Sequence, residues 1–293
     1  MNKINIPMIG LGTWLIPNDE VESIVKDAIS LGYKHIDTAQ AYRNEEGIGK
    51  ALKASGIPRD EIYITTKMWP GMFGQEEPFQ TFKGAIEACE QSLQLLQVDE
   101  IDLYLIHNPF AKENRLELWE AMLELKKQGK VKNVGVSNYN VKHIEEIQAA
   151  ELEIPSANQI EIHPWHVITT ELAQYMDSHE ILPIAYSTLA PIPNWREGSK
   201  WNGKPEDMKS GSMPCQDIAN SYNVSVPQLL LKWAIQLGYP VLPKSVKYDR
   251  LKENLDLHHF EISRSDIKII SKIAKDEQKC LAWSGDFDPL EVE

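Results

Sequence analysis

The stretch "EIYITTKMW", Glu61 to Trp69, is crowded with β-branched and aromatic residues and holds no Gly, Pro or Asn, the composition of a β-strand. Lys67 stands near its end, just before Met68 and Trp69. An ammonium at the end of an apolar strand either snorkels to water or is held there by partners from elsewhere in the chain. The segments on either side of this strand separate the two readings.

Similar short apolar runs recur along the whole chain: "MIGLGTW" (8–14), "KHIDTA" (34–39), "IYITTKMW" (62–69), "IDLYLIH" (101–107), "VKNVGVS" (131–137), "ANQIEIH" (157–163), "LPIAYST" (182–188) and "YPVLPKS" (239–245). Between them lie helix-period segments such as "VESIVKDAISLG" and "TFKGAIEACEQSLQLLQ", several of them closed by Gly, the usual helix stop. Strands that alternate strictly with helices predict parallel βα units. Eight such units close a (β/α)8 TIM barrel, an α/β fold that takes about 250 residues. We therefore expect a single barrel domain over 1–293, with long loops on the face at the C-terminal ends of the strands. The alternative, an open doubly wound sheet, needs a dinucleotide fingerprint. Its one candidate, Gly10-Leu11-Gly12-Thr13-Trp14-Leu15, lacks the third glycine and a suitably placed acid after the second strand.

Composition narrows the function. The net charge of −13 argues against a nucleic-acid or anionic-membrane partner. No run of about 18 apolar residues offers a membrane span, and "MNKINIPMIG" reads as neither a signal nor a transit peptide. A cytoplasmic address is expected. Cys89, Cys215 and Cys280 form neither a disulfide framework nor a metal-spaced set. The basic cluster "KSVKYDRLK" (244–252) sets four cations against Asp249, so it is either a solvated helix start or a local anion site. The longest irregular stretch, 190–214, carries Trp195 and Trp201, and loops of that length are usually functional.

In a barrel, chemistry gathers at the C-terminal ends of the strands. Those ends carry Asp37, Lys67 and His107, with Tyr42 five residues beyond Asp37. Singly, each has a structural explanation. Together they suit proton donation to an oxyanion. A tyrosine of pKa about 10 is a weak acid at neutral pH, and a nearby ammonium favours its ionised form. A carboxylate keeps that ammonium charged, and a neutral imidazole orients a carbonyl. None of the four is a nucleophile, so hydride from a cofactor is the reagent expected at carbon.

These residues lie within motifs that resemble those of the aldo-keto reductases, NADPH-dependent (β/α)8 barrels: "LGTW" (11–14), "GYKHIDTAQAYRNEEGIGKAL" (32–52), "TTKMW" (65–69), "YLIH" (104–107), "GVSNY" (135–139), "NQIEIHP" (158–164), "AYSTLA" (185–190) and "LPKSVKYDRLKEN" (242–254). The resemblance covers nearly the whole chain. It implies a catalytic tetrad of Asp37, Tyr42, Lys67 and His107, with Tyr42 as proton donor. It implies NADPH/NADP+ as cofactor and a small-molecule carbonyl as substrate, in a chain expected to act as a monomer. Ser137, Asn138 and Gln159 would hold the nicotinamide carboxamide, and Tyr186 would stack on the ring. Gly12 and Thr13 would also line the cofactor site. Ser187 and Leu189 would meet the pyrophosphate; Lys244, Ser245 and Arg250 the 2′-phosphate; Glu253 and Asn254 the adenine. Trp14, Trp69, His107 and Asn108 would line the substrate pocket.

Three features depart from the family pattern. Few residues precede the first strand, so a hairpin capping the barrel bottom should be shortened or absent. Asn108 stands where many members have Trp, and Lys247-Tyr248 where Thr-Pro is usual. Two other functions compete with reduction. A cofactor-sensing regulatory subunit would share the fold. A metal-dependent hydrolase would use His163 and His166, which are one i, i+3 pair with no carboxylate or third ligand at suitable spacing.

Overall fold

The computed structural model describes residues 4–72, 79–197, 199, 204, 208–209, 211, 213–273, 279–283 and 287–293. Seven parallel strands lie in chain order around one sheet: β1 (Leu11–Gly12), β2 (His35–Asp37), β3 (Tyr63–Met68), β4 (Ile101–Ile106), β5 (Val131–Ser137), β6 (Ala157–Glu161) and β7 (Leu182–Tyr186). Helices α1 (Asn18–Leu31), α2 (Glu45–Ser55), α3 (Phe82–Leu96), α4 (Arg115–Lys127), α5 (Val141–Ala149) and α6 (Thr170–Ser178) return the chain from each strand to the next. After β7 come α7 (Gln216–Ser221), α8 (Val226–Gln236), α9 (Tyr248–Leu255) and α10 (Arg264–Ile270).

The expected eighth strand at 239–245 is reduced to one bridging residue. Val241 bridges Ile9 on one side and Ala185 on the other, both in parallel. Hydrogen bonds from Gly10 N to Val241 O (2.9 Å), Gly12 N to Pro243 O (3.1 Å) and Ala185 N to Pro240 O (2.8 Å) close the barrel. Pro240 and Pro243 have no N–H to donate, which stops the segment from extending as a ladder strand. Gly12 is required at this seam, because a Cβ there would lie 2.7 Å from the carbonyl oxygen of Leu242.

Local signals set the helix ends. Thr81 caps α3, Asn140 and Ser225 form capping boxes on α5 and α8, and Gly32 ends α1 at φ +104°, a conformation that costs glycine little. Between sheet and helices lies a large apolar layer that includes Ile36, Ile64, Val134, Leu230 and Trp233. A smaller cluster of Ile6, Leu103, Leu105, Ala157, Ile184 and Leu242 fills the barrel bottom. Residues 4–10 form no hairpin, and Ile6 plugs the bottom directly. Among the described residues, no helix is long and apolar enough to cross a membrane.

Period two along each strand does the rest. Side chains alternate between the outer apolar layer and the barrel interior. The inward series on β4 is Leu103, Leu105 and then His107; on β3 it is Tyr63, Thr65, Lys67; on β6 it is Ala157, Gln159, Glu161; on β7 it is Leu182, Ile184, Tyr186. Each series starts apolar or neutral at the bottom and ends on a polar or titratable group at the top.

Candidate active site

Lys67 is fully buried, which excludes snorkelling. Its Nζ donates to Asp37 Oδ1 at 2.6 Å and to the Thr38 carbonyl at 2.8 Å. It lies 5.2 Å from the Tyr42 ring centroid, close enough for its charge to act on the phenol. Burial works against the charged form of Lys67, but Asp37 and Tyr42 outweigh it and hold its pKa above the usual value. Burial also pushes the Tyr42 phenol upward, and Lys67 opposes that rise. The ammonium therefore limits an increase instead of bringing the phenol below its ordinary pKa. His107 packs edge-on to Tyr42 (5.6 Å) and Trp69 (5.1 Å). Burial and the Lys67 charge hold its pKa well below 6.5, so the imidazole is neutral at neutral pH.

A second hydrogen-bonded group extends from this tetrad across the barrel mouth. Gln159 Nε2 donates to Asp37 Oδ2 at 2.7 Å. Ser137 Oγ donates to the Gln159 carbonyl (2.8 Å), and Asn138 Nδ2 donates to Ser137 Oγ (3.0 Å) and the His107 carbonyl (3.2 Å). Tyr186 OH donates to Asn138 Oδ1 (2.8 Å) and accepts from Trp283 Nε1 (2.9 Å). Asn138 sits at φ +63° and Ser187 at φ +54°, strained conformations of a kind that gathers at functional sites. Thr13 serves the frame: its N and Oγ1 both donate to the Asp37 carbonyl, at 3.0 and 2.9 Å.

The pocket rim is aromatic. Trp14 stacks on Tyr42 at 6.1 Å, and the Arg196 guanidinium lies 3.8 Å above Trp14 and 3.9 Å from Trp195. Trp201 lies outside the described residues. Asn108 is buried, donating to the Gly71 carbonyl (3.2 Å) and accepting from Phe110 N (3.0 Å). Its amide is thus turned onto backbone. Phe110, Trp283 and Phe287, mutually 5.6–5.7 Å apart, form an aromatic cluster nearby.

The basic segment is split by the fold. Ser245 is buried and binds the Lys247 backbone, whereas Lys244, Lys247 and Arg250 are exposed around the start of α9. The N-cap residue Lys247 makes no side-chain cap, so the start of this helix lies beside three cations without one from its own N-cap. Asn254 is buried and Glu253 half-buried on the same helix, and Leu189 packs half-buried against the core.

The sequence model of the Aldo/keto reductase family matches residues 8–275. The chain belongs to this family. Among similar proteins, the glyoxal reductase of Bacillus subtilis (strain 168) is 38% identical over 279 residues, covering 94% of this chain and 92% of that protein. The methylglyoxal reductase DkgA of Escherichia coli (strain K12) is 35% identical, with 92% and 90% covered. Among solved structures, MGS-M4, an aldo-keto reductase from a Medee basin deep-sea metagenome library, superposes with a TM-score of 0.81 at 33% identity, covering 96% of both chains. A point mutant of Gox0644 in complex with NADPH gives 0.80 at 33%, covering 98% and 95%.

In this aldo-keto reductase several site residues carry no signal of their own in the sequence. Thr38 contributes only a carbonyl to Lys67. Asn44 is buried, donating to the Thr13 and Ile16 carbonyls and accepting from Thr38 Oγ1, and so shapes the turn that presents Tyr42. Arg196 and Trp283 lie in irregular segments, where periodicity says nothing.

Proposed function

We propose that this chain reduces the carbonyl of a small or medium aldehyde or ketone to an alcohol, with NADPH as cofactor and Tyr42 as proton donor. The observation that carries this reading is the buried Lys67–Asp37 pair (2.6 Å) set against Tyr42, with neutral His107 beside it. The cofactor fits the residues present. Lys244, Lys247 and Arg250 cluster around the start of α9, whose N-cap residue makes no side-chain cap, and a helix N-terminus with positive charge beside it suits a dianionic phosphate. When bound, NADPH supplies a hydride.

Each residue then has one task. Ser137, Asn138 and Gln159 present amide and hydroxyl groups that match a carboxamide, and the Tyr186 ring supports the flat face beside them. His107, held neutral, donates to the substrate oxygen and aims it at Tyr42. Tyr42 gives its proton to that oxygen, and Lys67 stabilises the phenolate left behind. Trp14, Trp69, Phe110 and Trp283 keep water away. The names of the glyoxal and methylglyoxal reductases make a short 2-oxoaldehyde the first substrate to try.

The test is NADPH oxidation with a panel of aldehydes and ketones, methylglyoxal included, alongside cofactor titration. Substrate-dependent oxidation supports the reading. Tight NADPH binding with no turnover on any carbonyl would point to a cofactor sensor instead.

A further inference from the structure

We propose that His166, Cys280 and Asp288 form a binding site for a borderline-soft divalent cation, zinc above all, that staples the C-terminal segment to the top of β6. His166 lies in the loop after β6, and the other two ligands lie in the C-terminal segment. A His nitrogen, the Cys280 sulfur and a carboxylate oxygen of Asp288 all lie within 4.8 Å of one another. Tetrahedral zinc places such atoms about 3.5 Å apart, so side-chain rotations of about 1 Å complete the site. Nitrogen, sulfur and carboxylate oxygen are the donors zinc takes.

The surroundings are already arranged as a metal's outer shell. His166 Nδ1 lies 2.8 Å from the Glu161 carbonyl; a carbonyl only accepts, so Nδ1 carries a proton. A histidine that donates one ring N–H to backbone offers the other nitrogen as a ligand, and this pairing is the rule for metal-bound imidazoles. That other nitrogen, Nε2, faces Asp288 Oδ2 at 2.8 Å. Two acceptors at this distance need a proton or a cation between them. Cys280 Sγ meets Glu161 Oε2 at 2.9 Å, so a second carboxylate borders the sulfur. Glu161 is itself fixed, accepting from Leu281 N (2.6 Å) and Ala282 N (2.9 Å). His166 and Glu161 are both buried, at 4% and 1% exposure.

Binding forms bonds from zinc to Nε2, Sγ and one Asp288 oxygen, with water in the fourth position. The proton between Nε2 and Oδ2 and the thiol proton of Cys280 leave to solvent. The consequence lies next to the reductase centre: Trp283, between the two C-terminal ligands, donates to Tyr186 OH. An occupied site would hold that contact closed.

The test uses the full chain, freed of metal by a chelator and titrated with Co2+ as an optical probe. We expect a thiolate-to-cobalt charge-transfer band saturating at one equivalent and removed by Zn2+. Cys280→Ser should abolish the band and weaken Zn2+ binding at least about 100-fold, since loss even of outer-shell partners costs about 10–100-fold. His166→Gln should weaken binding comparably, while Cys215→Ser should change nothing. Circular dichroism and NADPH titration report whether each variant is folded. Absence of the band in the wild-type chain, or its persistence in Cys280→Ser, would overturn the site, whatever the outcome of the carbonyl assays.

Discussion

Gln159 on β6 donates to Oδ2 of Asp37 on β2 at 2.7 Å, while Lys67 takes Oδ1 at 2.6 Å. One buried carboxylate thus joins Lys67, beside the proposed proton donor Tyr42, to Gln159 of the proposed cofactor site. Strands β2 and β6 are not neighbours in the sheet, so the bond spans the barrel interior. A change at Gln159 would be felt at Lys67 through the Asp37 side chain alone.

Gln159→Leu should therefore act on both halves. It leaves one oxygen of a buried carboxylate without its donor, which costs about 1–3 kcal/mol. We expect a denaturation midpoint lowered accordingly, weaker NADPH binding and a reduced kcat. Loss of cofactor affinity alone, with kcat and stability unchanged, would show that the Asp37 contact carries no energy.

Tyr42→Phe removes the proposed proton and leaves the ring stacked with Trp14. Turnover should fall by about 10²–10⁴-fold, with NADPH affinity within about twofold of wild type. Retention of half the activity would refute the assignment of Tyr42.

Lys67→Met leaves Asp37 buried opposite a thioether. Breaking a buried pair from one side costs about 3–5 kcal/mol, and turnover should nearly vanish while NADPH still binds. Adding Asp37→Asn should restore much of the stability and none of the activity. Wild-type hydride transfer in single-turnover measurements of Lys67→Met would return this lysine to a purely structural role.

Arg250→Ala tests cofactor choice. A charge-assisted hydrogen bond to phosphate is worth about 1.5–3 kcal/mol, so NADPH affinity should drop about 10–100-fold and NADH affinity hardly at all. Equal weakening of both would mean that Arg250 only packs against the nucleotide.

Acid sensitivity follows from buried neutral histidines. Burial, with Lys67 adding to it, pushes His35 down to about 3 from 6.5. Between those values the unfolded chain binds a proton that the folded chain refuses. Stability from this group is full above pH 6.5 and is lost as the pH falls toward 3. From pH 6.5 to 5 the loss is about 2 kcal/mol. Urea midpoints at pH 7 and 5 should converge in His35→Gln relative to wild type. An unchanged slope would remove His35 as the cause.

Much of this protein is local and hence legible in its sequence. Strand composition and helix punctuation depend on neighbours a few residues apart, so seven strands and their intervening helices fall where the patterns predict. Period two then orders Leu103, Leu105 and His107 on one face, so the strand-end titratable residues point into one mouth. The family motifs point to the proposed tetrad for the same reason, since each motif is a short contiguous run.

What depends on distant chain meeting in space was decided only by folding. Prolines at 240 and 243 reduce the eighth strand to a bridge at Val241, because ladder hydrogen bonds need donors on the segment itself. Asn108 turns onto backbone, and Phe110 and Trp283 pack together beside it. In sequence His163 and His166 read as a pair without a carboxylate at suitable spacing; in the fold Glu161 Oε1 lies 2.8 Å from His163 Nε2. The tertiary structure brings Cys280 and Asp288 to His166 because the C-terminal segment crosses back over β6, held there by the Glu161 carboxylate. Spacing along a chain cannot encode that crossing; the hydrogen-bonding demand of one buried carboxylate at a strand end does.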